Sequence, residues 1–268
     1  MLQSSRNSLS NTLQQVNSAI DAGGADAVAE GLLSIVSVLA ENAQLRKVLA
    51  DAAIEQSRKQ ALVSDLFSGK VDARALEIAL SAAASRWARA QDLVTALEVA
   101  GVTAVAASAQ AAGRLGEVEE ELFRFSRLTE SDHELGWALG SPAPAEAKRA
   151  LVADLLGGKV SSHTVTLVSQ VVSHPRGLRV SEALDNYSEV LAARQRRSVA
   201  EVTVAKPLAP AQHDRLAAAL SASYGRELVL NVHVDPTVVG GVRVQVGDEV
   251  MNSAIADRLT DVRRRLAS

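Results

Sequence analysis

A segment with helical character occurs twice in the chain, at an offset of about 90 residues. Residues 45–71 read LRKVLADAAIEQSRKQALVSDLFSGKV, and residues 135–160 read LGWALGSPAPAEAKRALVADLLGGKV. The matched residues are Leu45, Leu49, Leu62, Val63, Asp65, Leu66, Gly69, Lys70 and Val71 in the first copy, and Leu135, Leu139, Leu151, Val152, Asp154, Leu155, Gly158, Lys159 and Val160 in the second. Upstream of each copy, AVAEGLLSIVSVLAEN resembles GEVEEELFRFSRLTES more weakly. Two copies are too few for a solenoid, so the repeat predicts two similar helical bundles.

Apolar residues recur at helical spacing within this repeated part. The clearest stripes are Leu32, Leu33, Val36 and Leu39; Leu62, Val63, Leu66 and Phe67; and Leu76, Ala79, Leu80 and Ala83. Alanine and leucine are the commonest residues and aromatics are only 3%, which favours close-packed helices with small side chains at their contacts. Helix ends are predicted at Gly69, Gly101, Gly113 and the pair Gly157–Gly158.

The periodicity changes between residues 195 and 200, after a helix predicted from Ser181 to Arg197. The pattern then predicts strands over 199–205, 227–234, 242–246 and 249–251, and helices over 211–223 and 255–266. Gly247 and Asp248 suit a two-residue hairpin turn. The predicted fold is therefore mainly α. Two helical bundles, residues 1–90 and 91–195, precede a small α+β domain, residues 196–268.

Composition and motifs argue against several kinds of chemistry. The net charge is −3, which disfavours nucleic-acid binding driven by overall charge, and the absence of cysteine excludes disulfides and thiolate metal ligands. None of the histidines, His133, His163, His174, His213 and His233, has another histidine three to five residues away. There is no G-x-S-x-G elbow and no G-x-G-x-x-G loop. We therefore expect no catalytic residues, no cofactor and no metal site.

Several polar groups have a structural interpretation. Gly69–Lys70 and Gly158–Lys159 lack the serine or threonine of a phosphate-binding loop, and they predict helix ends with a lysine near the helix dipole. Residues 119–121 are all glutamate and are expected on an exposed helix face. His133 is expected in a solvated turn, and His233 is expected to point outward from its strand.

No segment reaches the 18 or so consecutive apolar residues of a membrane-spanning helix. The first residues, MLQSSRNSLSNTLQQ, lack the apolar core of a signal peptide. We expect a soluble chain that is not inserted directly into a membrane, so that any membrane association comes through a partner.

Two groups of arginines have two interpretations. They are Arg194, Arg196 and Arg197, and Arg263, Arg264 and Arg265. Each group ends a predicted helix, where cations are favoured by the helix dipole. The alternative is that they contact an acidic partner helix, since arginines at an interface rim improve electrostatic complementarity.

Residues 230–266, LNVHVDPTVVGGVRVQVGDEVMNSAIADRLTDVRRRL, resemble the C-terminal signature of the ATP synthase delta subunit family, called OSCP in mitochondria. The signature residues, which we interpret as structural, are Asp235, Pro236, Gly240, Gly241 and Gly247. Residues 145–160 and 200–220 are similar to further family segments. The chain departs from the family at residues 252–254, which read Asn-Ser-Ala where the family usually has Asp-Gly-Ser, and in its extra first 90 residues. The repeat explains those residues, and such an extended form resembles the delta subunits of actinobacteria.

The resemblance implies a stator, or peripheral stalk, subunit of an F-type proton-translocating ATP synthase. The implied partners are N-terminal segments of the alpha subunit, the beta subunit and subunit b, and the implied location is the cytoplasmic face of the cell membrane. The second bundle, nearest the family pattern, is expected to carry the alpha site. The alternative function is a helical adaptor or regulatory binding protein unrelated to ATP synthase.

Overall fold

The computed structural model describes residues 1–197, 199–224, 228–235, 242–246 and 249–252. The chain divides into two compact units, Met1–Ala192 and Ala193–Ser268. The described helices of the first unit are α1 Gln3–Asp21, α2 Ala25–Glu41, α3 Ala43–Ala50, α4 Gln56–Phe67, α5 Ala73–Ala84, α6 Ala90–Ala111, α7 Leu115–Ser131, α8 His133–Gly140, α9 Ala145–Leu156, α10 Ser162–Ser173 and α11 Val180–Arg197, whose last residues belong to the second unit.

The repeat in the sequence corresponds to a repeat of helices, with α1–α5 matched by α6–α10. Asn42 caps α3 by accepting a hydrogen bond from Leu45 N, and Asp132 caps α8 by accepting one from Leu135 N. Gly69 and Gly158 follow α4 and α9 with φ of +72° and +71°. The prediction of a mainly helical, duplicated fold is confirmed. Both copies fall within one compact unit, and a boundary at residue 90 stays a prediction.

A single hydrophobic core runs through the first unit, and α6 lies at its centre. The predicted helix end at Gly101 is wrong, because Gly101 lies in the middle of α6. A Cβ atom at Gly101 would lie 2.7 Å from Leu33 Cδ2 of α2. The glycine therefore lets α2 and α6 approach closely, and this packing outweighs its poor helix propensity.

Helix α6 is also long and apolar enough to cross a membrane. However, 83% of its apolar window is buried inside the unit. Its character is therefore that of a core helix, surrounded by the neighbouring helices of both copies.

A buried polar cluster joins α11 and the loop before it to α6. Tyr187 donates a hydrogen bond of 2.7 Å to Glu98 Oε1, and the Arg176 guanidinium forms an ion pair with the same carboxylate. Arg176 also donates to Thr95 Oγ1 at 3.0 Å. Burial raises the pKa of the Tyr187 phenol and lowers the pKa of the Arg176 guanidinium. The cluster holds α11, the last helix of the first unit, against α6.

The second unit contains a four-stranded sheet in its described residues, with the order β2-β1-β3-β4. Its elements are β1 Val199–Val204, α12 Pro210–Tyr224, β2 Val229–Val234, β3 Val242–Val246 and β4 Glu249–Asn252. Strand β1 pairs in parallel with β2 and antiparallel with β3, and β3 pairs antiparallel with β4. Inward residues of β1 and β3, including Val202 and Val244, pack with Leu220 of α12 in a separate small core. The predicted order of strands and helix is confirmed, while the predicted final helix lies outside the described residues.

Candidate docking groove

A groove of about 640 Å³ lies between α2 and α10 in the first unit. Leu33 of α2 and Val105 of α6 are buried at its floor, and Val165 of α10 is half-buried at its side. The full lining is Asp26, Ala29, Glu30, Leu33, Ser34, Ser37, Val105, Arg149, Ser162, His163, Val165, Thr166, Ser169 and Gln170. The groove thus combines an apolar strip with hydroxyl groups, as expected of a surface that accepts a polypeptide segment.

The two ends of the groove carry opposite charges. Asp26 and Glu30, in the first turns of α2, lie at the end where α10 begins, since Asp26 Oδ1 is 4.0 Å from His163 Nε2. Arg149 lies at the other end, where its Nε donates to Ser173 Oγ at 2.9 Å. The eleven residues from His163 to Ser173 span about 15 Å of helix. The groove is therefore long enough for about three turns of a bound helix.

A hydrogen-bonded network closes the acidic end. The Ser108 hydroxyl of α6 donates to the Asp26 carboxylate, and Ser108 Oγ is 2.8 Å from His163 Nε2. His163 Nδ1 is 3.1 Å from Ser161 Oγ, which also accepts the His163 N–H. With the Ser108 proton directed at Asp26, the consistent tautomer of His163 carries its proton on Nε2 and accepts at Nδ1. Every member of the network is satisfied, which fixes α10 against α6 and α2.

The grouping of serine, histidine and aspartate resembles the components of a catalytic triad, but its geometry is different. In a triad, the carboxylate orients the imidazole through one ring nitrogen while the other nitrogen takes the serine proton. Here Asp26 and Ser108 both lie on the Nε2 side of His163. The Ser108 proton goes to Asp26, so the imidazole does not activate the hydroxyl. The arrangement is suited to holding helices together.

Gln170 borders the groove and carries a buried amide nitrogen without a hydrogen-bond partner. Its side chain is only 8% exposed. A buried amide without a partner costs about 1–3 kcal/mol, so its retention calls for a compensating contact. The carbonyl oxygen of a bound segment would supply the missing acceptor once the Gln170 side chain rotates its buried Nε2 amide into the groove.

His174, at the end of α10, has a second buried nitrogen without a partner, Nε2. Burial lowers the pKa of His174, and the nearby cations Arg149 and Lys148 lower it further against the opposing effect of Glu41. Asp26 at the start of α2 lies near His163 at the start of α10, and Ser37 and Gln170, toward the ends of these two helices, line the same groove. The two helices therefore run in the same direction along the groove.

Of the predicted partner-contact arginines, Arg194 and Arg196 have described side chains, and neither lines this groove. Arg194 is buried and Arg196 is exposed on α11, and Arg197 is the last residue of that helix. Arg263, Arg264 and Arg265 lie outside the described residues. Contact of these arginines with a partner stays a prediction.

Of the signature residues, Asp235 follows β2 directly, and its N–H donates to Val204 O at 2.9 Å. This bond continues the pairing of β2 with β1, in agreement with a structural role. Pro236, Gly240, Gly241 and Gly247 lie outside the described residues.

Other polar predictions can be compared with the structure. Lys70 Nζ donates to Leu66 O and Lys159 Nζ to Leu155 O, at 2.9 and 3.0 Å, which confirms lysines that cap helix ends. His233 is exposed on β2, as predicted, and pairs with Glu201.

The expected exposure of residues 119–121 holds only for Glu120, since Glu119 is half-buried and so is Glu121. The Glu121 carboxylate accepts hydrogen bonds from Ser161 N and from Thr164 Oγ1, at the start of α10. An anion is favoured there by the helix dipole. The position of α10 in the fold, which the helical pattern does not reveal, brings this helix end to Glu121.

Sequence patterns do not predict which residues build the groove. His163 and Gln170 occur in an ordinary amphipathic pattern, SHTVTLVSQ, whose hydroxyl-bearing face does not distinguish a groove from a solvated surface. The unpaired state of Gln170 Nε2 depends on which helices surround it, and only the structure shows this.

Comparisons with known proteins cover almost the whole chain. The family model of the ATP synthase delta (OSCP) subunit matches residues 15–94 and 102–266, so that a separate match begins within each helical copy. The ATP synthase subunit delta of Streptomyces coelicolor is 42% identical over 267 residues, covering 98% of this chain and 97% of that protein. That of Thermobifida fusca is 39% identical over 264 residues, covering 98% of both chains. The match to a chain in a cryo-EM structure of the Toxoplasma gondii mitochondrial ATP synthase hexamer covers 62% of this chain and 95% of that chain, at 19% identity and a TM-score of 0.33.

Proposed function

The chain belongs to the ATP synthase delta (OSCP) family, and we propose that it acts there as a stator subunit without catalytic residues of its own. In this role it joins the catalytic alpha/beta head to subunit b of the peripheral stalk, so that the head does not turn with the rotor. It lies at the cytoplasmic face of the membrane, held there by the complex. The observation that carries the proposal is similarity to subunit delta over 98% of the chain, including the extra first copy.

The alternative, an adaptor unrelated to ATP synthase, has no comparable support. The relatives reported above match this chain from end to end under one name, ATP synthase subunit delta. Co-purification is the test of this choice. Detergent-solubilised membranes should yield the chain together with the alpha, beta and b subunits, and a free pool lacking all of them would contradict the stator function.

The groove between α2 and α10 is the proposed site for an amphipathic N-terminal segment of the alpha subunit. Leu33, Val105 and Val165 would contact the apolar face of the bound helix. The acidic end favours a basic residue and the positive helix N-terminus, while Arg149 favours an acidic residue and the helix C-terminus. The bound segment would then run in the same direction as α10.

The second unit is the proposed contact for subunit b. Strand β2 is an edge of the described sheet, and it exposes Val229 and Val234. An edge strand with exposed apolar residues is a ready surface for another chain. This surface supports the assignment of the stalk contact to the second unit.

Gln170→Leu in the full chain tests the groove, because the free and bound states should respond in opposite directions. Removing the unpaired amide should leave the free chain as stable as wild type or more stable, by up to about 1 kcal/mol. Loss of the hydrogen bond to the bound segment should weaken binding about tenfold. The measurements are urea unfolding and titration with a peptide of the alpha subunit's N-terminal segment.

The matched control is Gln15→Leu, which changes an exposed glutamine of the first copy that donates to Ser81 Oγ. It should leave peptide binding unchanged. Wild-type affinity for the Gln170→Leu chain would contradict the groove assignment, and a parallel loss of stability and binding would show that Gln170 is a structural residue.

A further inference from the structure

The repeat allows the exposed side of the second copy to be compared with a buried side of the first. Offset by 90 residues, Val28 of α2 matches Val118 of α7, and Leu32 matches Leu122; all four side chains are fully buried. The caps that follow, Asn42 and Asp132, keep the same offset. Helices α2 and α7 therefore correspond residue by residue at this offset.

One matched pair differs sharply in exposure. Leu33 is 6% exposed, whereas Phe123, at the equivalent position of α7, is 55% exposed. Leu33 packs against Gly101 of α6 and lies at the groove beside α10. A large aromatic side chain thus occupies the surface of α7 at the position where α2 is covered.

Helix α10 covers Leu33 on α2, but the first unit contains no further helix in the equivalent position over Phe123 on α7. Helix α11 follows the second copy as α6 follows the first, and Asp185 of α11 accepts a hydrogen bond of 3.2 Å from Ser126 of α7. The next repeat would then supply an equivalent of α10. Instead, α11 is the last helix of the first unit, and the chain continues into β1.

The face of α7 equivalent to the α2 side of the groove is called the α7 outer face. It comprises Gly116, Glu119, Glu120, Phe123, Arg124 and Arg127, which match Asp26, Ala29, Glu30, Leu33, Ser34 and Ser37. Its charges are ordered, with carboxylates before Phe123 and guanidiniums after it. The α2–α10 groove has the same order, from Glu30 to Arg149.

We propose that the α7 outer face binds an amphipathic helix of another chain of the complex, placed on α7 as α10 is placed on α2. The bound helix runs parallel to α7, with aliphatic residues at i, i+3 or i+4, and i+7 over Phe123. Basic residues in its first half face Glu119 and Glu120, and acidic residues in its second half face Arg124 and Arg127. The inference rests on the proposed stator function in one respect: the partner helix belongs to another subunit of the ATP synthase.

The test uses the full chain rebinding to purified ATP synthase from which this subunit has been removed. Phe123→Ser should weaken binding about tenfold or more, as loss of a central aromatic contact does. Phe123→Leu, which introduces the residue of the first copy, should stay within about threefold of wild type. Because Phe123 is largely exposed, all three chains should unfold at the same urea concentration.

A charge exchange separates recognition from helix stability. Glu120 and Arg124 form an ion pair of 2.7 Å along α7. The double variant Glu120→Arg with Arg124→Glu keeps this pair but reverses the charge order of the face, and it should weaken rebinding about tenfold. The control exchanges in the same way an exposed pair in the first copy, Glu55 directly before α4 and Arg58 within it, with no expected effect on rebinding.

Both Phe123→Ser and the Glu120/Arg124 exchange must weaken rebinding; wild-type affinity for either overturns the proposal. Cross-linking from Phe123→benzoylphenylalanine in the assembled complex should reach a helix of another subunit with the stated charge order. Cross-links only to this chain, or a self-association that Phe123→Ser abolishes in sedimentation, would also overturn it. Gln170→Leu tests binding at the groove separately. A negative result for the α7 outer face can therefore be told apart from a negative result for the groove.

Discussion

Replacing Arg176 by methionine should destabilise the chain strongly, although Arg176 lies in a loop. Glu98 is 5% exposed, and its carboxylate is held by the Arg176 guanidinium and the Tyr187 hydroxyl. Arg176→Met leaves a buried carboxylate without its cation, which costs about 3–5 kcal/mol. Arg176 has a φ of +48°, but methionine bears the same backbone penalty as arginine, so the backbone contributes little to the difference.

The assay is urea unfolding of the full chain, with thermal unfolding as a second measure. A loss of this size should lower the melting temperature by about 10 °C. The triple variant Glu98→Leu, Arg176→Met and Tyr187→Phe removes the whole polar cluster and should recover most of the loss, because no buried charge remains. The control Arg179→Met changes an exposed arginine nearby and should cost less than about 0.5 kcal/mol. A loss below about 1 kcal/mol for Arg176→Met, or a triple variant no better than the single one, would refute the reasoning.

Three further predictions concern helix ends and pH. Gly158→Ala, at a φ of +71°, should cost about 1 kcal/mol in urea unfolding, whereas Gly116→Ala, in open space on α7, should be neutral or stabilising; equal effects would contradict the backbone explanation. Glu121→Ala should cost about 1–2 kcal/mol, because the Ser161 N–H loses its acceptor, and circular dichroism should show the helical fold retained. Because burial lowers the pKa of His174, the unfolded state takes up a proton below about pH 6.5 that the folded state does not, so stability is present above that pH and falls as the pH decreases. Unfolding from pH 7.5 to pH 5 should show a smaller fall for His174→Gln, and an unchanged fall would exclude His174 as a source.

Much of the architecture follows from local patterns in the sequence. The repeat and the stripe that contains Leu32 and Leu33 predict the paired bundles, because burial of one helical face imposes its period on the residues. The change to alternating residues after Arg197 predicts the sheet for a similar reason. Glycines that need positive φ, such as Gly69 and Gly158, mark helix ends in both copies.

The errors and omissions arise where tertiary contacts decide. Gly101 has the propensity of a helix end, but close packing of Leu33 requires a glycine in mid-helix. Glu121 has the pattern of an exposed residue until α10 is placed beside it. Gln170 has no local signal, because its lack of a partner is a property of the assembled helices.

The most direct test of the stator function and its groove is a cryo-EM map of the assembled complex that contains this chain. We predict that the chain bridges the alpha/beta head and subunit b, with a helix of the alpha subunit in the α2–α10 groove and a backbone carbonyl within hydrogen-bonding distance of Gln170 Nε2. A map in which the chain contacts the head elsewhere, with the groove empty and Gln170 unpaired, would contradict the account.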